Sequence, residues 1–150
     1  MDLILWRHAE AEDGAPDMGR RLTAKGEKQA DKMAAFLRSR LPQNTRILVS
    51  PAMRAQQTAL ALTKNFTTEL SIAPGASPEA LLKAAGRLED KDCVLIVGHQ
   101  PALGEASALL MSGKPEYWSI KKGAVWWLSR RERDENPETI LRLVIAPDQL

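Results

Sequence analysis

Cys93-Val94-Leu95-Ile96-Val97-Gly98-His99 is the stretch that decides the fold. Its apolar residues follow one another without alternation and stop at a glycine and a histidine. That is the pattern of a strand covered on both faces, which requires a layer of structure above and below it. Leu3 to Trp6 repeats the pattern and ends at Arg7-His8, and Ile47 to Val49 repeats it before Ser50-Pro51. Between these runs the spacing becomes helical. Ala30, Met33, Ala34, Leu37 and Leu41 form one stripe behind Thr23, whose hydroxyl suits an N-cap, and Pro42 is expected to stop that helix. A second helix is expected over Met53 to Lys64, with Ala55, Ala59 and Leu62 on one side.

Pro78 opens a third helix running to about Leu88, and Pro101 a fourth with Ala106, Leu109 and Leu110 on its buried side. Ala9 to Arg21 holds Gly14, Pro16, Asp17 and Gly19 and reads as a loop, whereas Leu70 to Ile72 reads as a short strand. Ala124 to Leu128 and Thr139 to Ile145 read as two last strands, joined by an exposed hairpin connection over Arg130 to Glu138. The adjacent Trp126 and Trp127 then point to opposite faces, one toward the core and one partly exposed. Strands alternating with helices give an α/β fold of three layers, with a mostly parallel central sheet flanked by helices and the last two strands as an antiparallel edge.

At 150 residues the chain suits one domain, and neither a repeat nor a linker divides residues 1–150. Hydrophobic residues make up 44% and charged residues 27%, a globular composition that needs neither disulfide nor structural metal to hold a core. The single cysteine, Cys93, lies inside an apolar strand and reads as inert core, which fits a reducing cytoplasm. No signal peptide is visible and no apolar run approaches the roughly 20 residues of a membrane helix, so no membrane association is expected. A net charge of +2 is too small for a nucleic-acid-binding face, and Lys121-Lys122 and Arg130-Arg131 read as solvated loop residues.

Ligands of open α/β sheets bind beyond the carboxyl ends of the strands. His8, Ser50 with Arg54, and His99 all sit at such ends, and His8 and His99 are the two histidines of the chain. Either histidine alone reads as a hydrogen-bonded turn residue, and Arg7 and Arg54 alone as surface charges. Two histidines without further Cys or His at ligand spacing do not complete a metal site, and a phosphate-binding G-x-x-x-x-G-K-[ST] loop is absent.

Taken together the segments say more. Leu5-Trp6-Arg7-His8-Ala9-Glu10 resembles the R-H-G signature of the histidine phosphatase superfamily, with Ala9 in place of the usual glycine. Val49-Ser50-Pro51-Ala52-Met53-Arg54-Ala55-Gln56-Gln57-Thr58-Ala59 resembles its S-P-x-x-R-A-x-Q-T-A segment, and Val97-Gly98-His99-Gln100-Pro101 its G-H-x-P motif. Arg-His-Ala-Glu-Ala from Arg7, with Arg21-Leu22-Thr23-x-x-Gly26, is similar to the small bacterial phosphohistidine phosphatases of the SixA type.

The resemblance implies a phosphoglycerate mutase-like fold and a covalent phosphohistidine intermediate on His8. It implies that Arg7, Arg54 and His99 hold the phosphoryl oxygens. Arg21 reads either as a further phosphate contact or as a helix-entry loop residue held to solvent or to an acidic neighbour, and Arg20 reads as the latter. Imidazole is a good nucleophile near neutral pH, and guanidinium forks match phosphoryl oxygens without a metal or other cofactor. Nearby cations are expected to keep His8 neutral by like-charge repulsion. No general acid can be assigned: Glu10, Glu12, Asp17 and Glu79 all read as surface carboxylates. A phosphohistidine-bearing partner protein removes that need when its leaving nitrogen is already protonated. Inorganic phosphate is the product. The short connection from the Arg54 helix to the Cys93 strand leaves no long insertion for a lid.

Three rivals are discriminable. A small-molecule phosphomonoesterase of the same superfamily requires a carboxylate near the leaving group. A non-catalytic phosphate-recognition module keeps its affinity when His8 is removed. A nucleic-acid binder requires strongly salt-dependent binding.

Overall fold

The computed structural model describes residues 1–86, 92–133 and 136–150. Strand β1 (Asp2–Arg7), helix α1 (Ala24–Arg38), β2 (Arg46–Val49), α2 (Met53–Leu60), β3 (Thr67–Thr68), α3 (Pro78–Ala85), β4 (Cys93–Gly98), α4 (Ala102–Ser112), β5 (Val125–Arg133) and β6 (Asn136–Ile145) follow in order. They build one six-stranded sheet in the order β3-β2-β4-β1-β5-β6. The first four strands of that order are parallel, and β5 and β6 are antiparallel to their neighbours.

The pleat explains the two helical layers. Leu3 and Leu5 of β1, with Val94 and Ile96 of β4, face a cluster with Leu81 and Ala85 of α3 and Leu103 and Ala106 of α4. Ile4 and Trp6, with Leu95 and Val97, face Met33, Ala34 and Leu37 of α1 and Ala55 and Ala59 of α2. Successive residues of a strand alternate between faces, so an unbroken apolar run is what a doubly covered strand needs. All six residues of β4 are buried. Trp127 is buried beside α1 and Trp126 is half-buried on the other face, as their adjacency requires.

The helix starts follow side-chain chemistry. Thr23 caps α1 by accepting from Gly26 N–H at 2.9 Å. Ser77 caps α3 from Ala80 N–H at 3.1 Å, with Pro78 in the first turn. Pro101 stands one place before α4, at its N-cap.

Several boundaries differ from the sequence reading. Helix α1 ends at Arg38, four residues before Pro42, where Arg40 and Leu41 N–H both turn back to Leu37 O. Helix α2 ends at Leu60 rather than Lys64, because Leu62 and Thr63 N–H close on Ala59 O. Leu70–Ile72 is a 3-10 turn whose Ser71 N–H is held by the Glu69 carboxylate, and the edge strand is the preceding Thr67–Thr68. Leu109 and Leu110 are half-buried.

The hairpin connection expected over Arg130 to Glu138 is largely ladder instead, with Arg130 opposite Thr139 and Arg131 opposite Glu138. Near its tip the ladder needs no apolar face, since Arg131, Asn136, Pro137 and Glu138 are exposed and the opposite charges face across it. Helix α3 ends at Ala85 rather than near Leu88, where Gly86 N–H closes on Leu82 O and Lys83 O. Asp134 and Glu135 lie outside the described residues.

One glycine ties α1 to the segment after β1. A Cβ on Gly26 would collide with the carbonyl oxygen of Glu10, two residues beyond His8. In an ordinary helix interior, alanine is better than glycine by about 1 kcal/mol. Here the sign reverses: Gly26→Ala is expected to lower stability by about 1–3 kcal/mol, the usual range for overpacking, measured by thermal or denaturant unfolding.

Candidate active site

Strands β2, β4 and β1 are parallel neighbours, so the residues following them leave the sheet on one rim. The ladder continues one residue past each end: His8 N–H donates to Gly98 O at 3.1 Å and Ser50 N–H to Val97 O at 3.0 Å. The imidazoles of His8 and His99 come to rest with centroids 5.2 Å apart and planes tilted by 53°. Both histidines and Arg54 are buried.

His8 Nδ1 lies 2.7 Å from Ala9 O. A carbonyl only accepts, so Nδ1 carries the proton of the neutral ring and Nε2 keeps its lone pair. Ala9 is held in turn: its N–H donates to Thr58 Oγ1 at 3.0 Å, and the Thr58 hydroxyl donates to Arg54 O at 2.7 Å. Thr58 thereby joins the turn bearing His8 to the helix bearing Arg54. His99 Nε2 lies 2.6 Å from Ser50 Oγ, which also accepts Ala52 N–H at 3.2 Å. In the neutral tautomer with the ring proton on Nδ1, the Ser50 hydroxyl donates to His99 Nε2.

The guanidiniums are braced by backbone. Arg7 Nη1 donates to Ile120 O at 2.7 Å. The loop that supplies this carbonyl is pinned by Gly123, whose N–H donates to Arg7 O and His8 O and whose carbonyl accepts Trp6 Nε1–H at 3.1 Å. Arg54 Nη1 donates to Asp17 O at 2.8 Å, and its Nη2 to Asp17 Oδ2 at 3.2 Å. Arg20 supports the same aspartate, donating from Nη1 to Asp17 Oδ1 at 3.1 Å and from Nε to Glu12 O at 2.7 Å.

Among the described residues, three buried side-chain polar atoms lack a hydrogen-bond partner: Arg7 Nε, Arg54 Nε and His99 Nδ1. Leaving a buried donor unpaired costs about 1–3 kcal/mol. Their concentration in the residues around two imidazoles describes a site shaped for an acceptor with several oxygens.

Burial, reinforced by the charges of Arg54, Arg7 and Arg20 and opposed by the bond to Ala9 O, lowers the His8 pKa to about 4. The expectation that neighbouring cations keep His8 neutral holds in direction, but desolvation is the larger cause. For His99, burial comes first, followed by His8 and Arg54, and together they lower its pKa to about 3. Both rings are therefore neutral near pH 7. Arg7 is also pressed below its ordinary value by burial, partly offset by the nearby Tyr117.

Among the residues expected at a site, Arg7, His8, Arg54 and His99 are brought together. Arg21 is not: its side chain is exposed, and its backbone carbonyl accepts Glu12 N–H at 2.8 Å. Arg20 is held to an acidic neighbour, Asp17, as its sequence reading allowed, and its charge also reaches His8. Asp17 was indistinguishable in sequence from a surface carboxylate, although its i,i+3 spacing to Arg20 in a turn was a usable signal. The other carboxylates turn elsewhere. Glu10 accepts the Thr23 hydroxyl and lies 3.9 Å from Lys25, and Glu12 and Glu79 are exposed. No group of three or more His, Cys, Asp or Glu able to hold a metal occurs among the described residues. Nor does a helix long and apolar enough to cross a membrane.

Residues 3–76 match the family model of the histidine phosphatase superfamily (branch 1). A phosphohistidine phosphatase SixA homolog of Haemophilus influenzae is 35% identical over 126 residues, covering 73% of this chain and 77% of that protein. The chain belongs to the histidine phosphatase superfamily. Phosphohistidine phosphatase SixA of Escherichia coli is 31% identical over 124 residues, 76% of either chain. The solved structure of the protein histidine phosphatase SixA complexed with tungstate superposes with a TM-score of 0.78 at 23% identity, covering 99% of both chains. The fold is thus the phosphoglycerate mutase-like fold of these phosphatases.

The depressed histidines of this superfamily member couple its stability to pH. Their pKa values of about 4 and about 3 lie below the 6.5 of an unfolded histidine. The unfolded chain therefore binds more protons once the pH falls below about 6.5, and stability declines toward pH 4. At pH 5 the loss is expected to be about 1–2 kcal/mol per histidine. Unfolding curves between pH 7 and 5 should show it, and a His8→Asn/His99→Asn double variant should flatten the dependence.

Proposed function

We propose that this protein is a metal-independent phosphatase that removes the phosphoryl group from phosphohistidine on a partner protein through a phosphohistidine intermediate on His8. The observation that carries this reading is the trio of unpartnered donors, Arg7 Nε, Arg54 Nε and His99 Nδ1, gathered around an imidazole whose Nε2 lone pair is free. A phosphoryl group has three non-bridging oxygens, and three N–H donors suit them. Two donors are charged, which strengthens their bonds to an oxyanion.

His8 Nε2 attacks phosphorus, the bond to the leaving group breaks, and the ring keeps its proton on Nδ1, donated to Ala9 O. Charge on the transferring oxygens is met by Arg7, Arg54 and His99 without reorganisation. Water then attacks the phosphorylated His8, the ring leaves with its Nε2 lone pair restored, and inorganic phosphate departs. Retaining the Nδ1–H bond through both steps keeps the ring aimed.

Access supports a protein-borne substrate. Asp17, Met18, Met53 and Tyr117, on the segments around the site, are exposed. The described part of the connection between α2 and β4 is spent on β3, the Leu70–Ile72 turn and α3. The SixA relatives, named as phosphohistidine phosphatases, agree with a phosphohistidine substrate.

Incubation with a 32P-labelled phosphohistidine protein should place acid-labile label on His8, and His8→Ala should abolish the label and lower kcat by roughly a thousandfold or more. Turnover should persist in a chelator and exceed that on sugar phosphates and phosphoglycerates. A preference for those small esters overturns the substrate assignment, and label retained in His8→Ala overturns the nucleophile.

A further inference from the structure

Asp17 occupies a place that the mechanism above does not use. It sits on the Asp17–Gly19 turn, and its carboxylate contacts Arg54 Nη2 at 3.2 Å and Arg20 Nη1 at 3.1 Å through different oxygens. Its side chain is 56% exposed, whereas that of the Arg54 it touches is 6% exposed. Asp17 therefore lies on the solvent side of a guanidinium whose inner edge belongs to the buried cluster. His8 is buried within that cluster. Displacement at phosphorus proceeds with attacking and leaving atoms roughly in line, so a leaving group opposite His8 faces outward, toward the rim that Asp17 occupies. The field of Asp17 also reaches His99.

We infer that Asp17 recognises the leaving imidazole of the substrate, its carboxylate accepting the N–H of the ring nitrogen that does not carry phosphorus. The inference rests on the phosphohistidine reading above and deepens it. A phosphohistidine protonated on its second nitrogen is an imidazolium. As the His8 Nε2–phosphorus bond forms, the substrate phosphorus–nitrogen bond breaks and its electron pair returns to the leaving nitrogen. The second nitrogen keeps its proton, and a neutral imidazole departs. No proton is transferred, so no general acid is consumed.

What the step requires is a group that keeps the ring protonated beside Arg7, Arg54 and Arg20, all of which repel an imidazolium. A carboxylate does this. The hydrogen bond from Arg20, aided by the charge and hydrogen bond of Arg54, holds the Asp17 carboxyl below its ordinary value. Asp17 is then an acceptor with no proton to give, which suits an imidazolium and fails an alkoxide. When a phosphoryl group takes the Arg54 donors, Arg20 still holds Asp17 at the rim. The groups facing Asp17 are thus Arg54 from α2, Arg20 from its own loop and His99 from the end of β4.

The test compares two substrates in the full-length protein: a histidine-phosphorylated peptide, and p-nitrophenyl phosphate, whose leaving group departs without a proton. Asp17→Asn is expected to lower kcat/KM on both, with the loss on the peptide greater by about tenfold or more, the size of a charge-assisted hydrogen bond. The basic limb of kcat on the peptide should also move to lower pH, because the bound imidazolium loses its stabilising anion. Equal losses on the two substrates, or an unmoved limb, would show that Asp17 only braces Arg54 and would overturn the inference. Failure of the unsubstituted protein to turn over the peptide is a separate result, which removes the phosphohistidine reading and this inference with it.

Discussion

The parallel ladder between β1 and β4 pairs Arg7 with Gly98, and the site depends on that register. It puts His8 and His99 at the same height on adjacent strands, with the first bond beyond the ladder, His8 N–H to Gly98 O, holding them there. The alternation of Leu3 and Leu5 against Ile4 and Trp6 enforces it, because a slip of one residue would turn each set toward the wrong helical layer. The hydrophobic core therefore aligns the chemistry.

The site itself is costly to hold. Two guanidiniums and two imidazoles share a buried neighbourhood, three of their donors are unpaired, and burial forces both rings to be neutral. That neutrality is useful to a nucleophile, and the unpaired donors are useful to an oxyanion. The expense is offset by backbone carbonyls that brace each cation: Ile120 O for Arg7 and Asp17 O for Arg54. Ser50 and Thr58 contribute by fixing orientation. One is hydrogen-bonded to His99 Nε2, and the other ties the His8 turn to α2.

Elements remote in sequence converge on these braces. Trp6, in the middle of the core, reaches Gly123 O through its indole N–H, and the same glycine caps the carbonyls of Arg7 and His8. Gln57 and Gln29 accept the Leu22 and Glu10 N–H groups, which ties the loop after β1 to α2 and α1. The Ala9–Arg21 loop is thus closed by an Ala11–Leu22 bridge and by side chains from two helices, giving Asp17 a defined place above Arg54.

The sequence by itself determined the layered α/β fold and the strand ends as the rim on which Arg7, His8, Arg54 and His99 come together. Doubly buried strands write themselves as unbroken apolar runs, and the motifs of the superfamily sit directly at their ends. Boundaries set by local hydrogen bonding were less legible: α1 closes on Leu37 O before Pro42, and Leu70–Ile72 turns because Glu69 caps it. The β5–β6 hairpin keeps pairing through charged residues because backbone, not hydrophobicity, holds its exposed tip. Only the tertiary structure could exchange Arg21 for Arg20 near the site and lift Asp17 from the surface carboxylates. The contact that sets Asp17 apart is with Arg54 of α2, 37 positions away in the chain, and no local pattern encodes it.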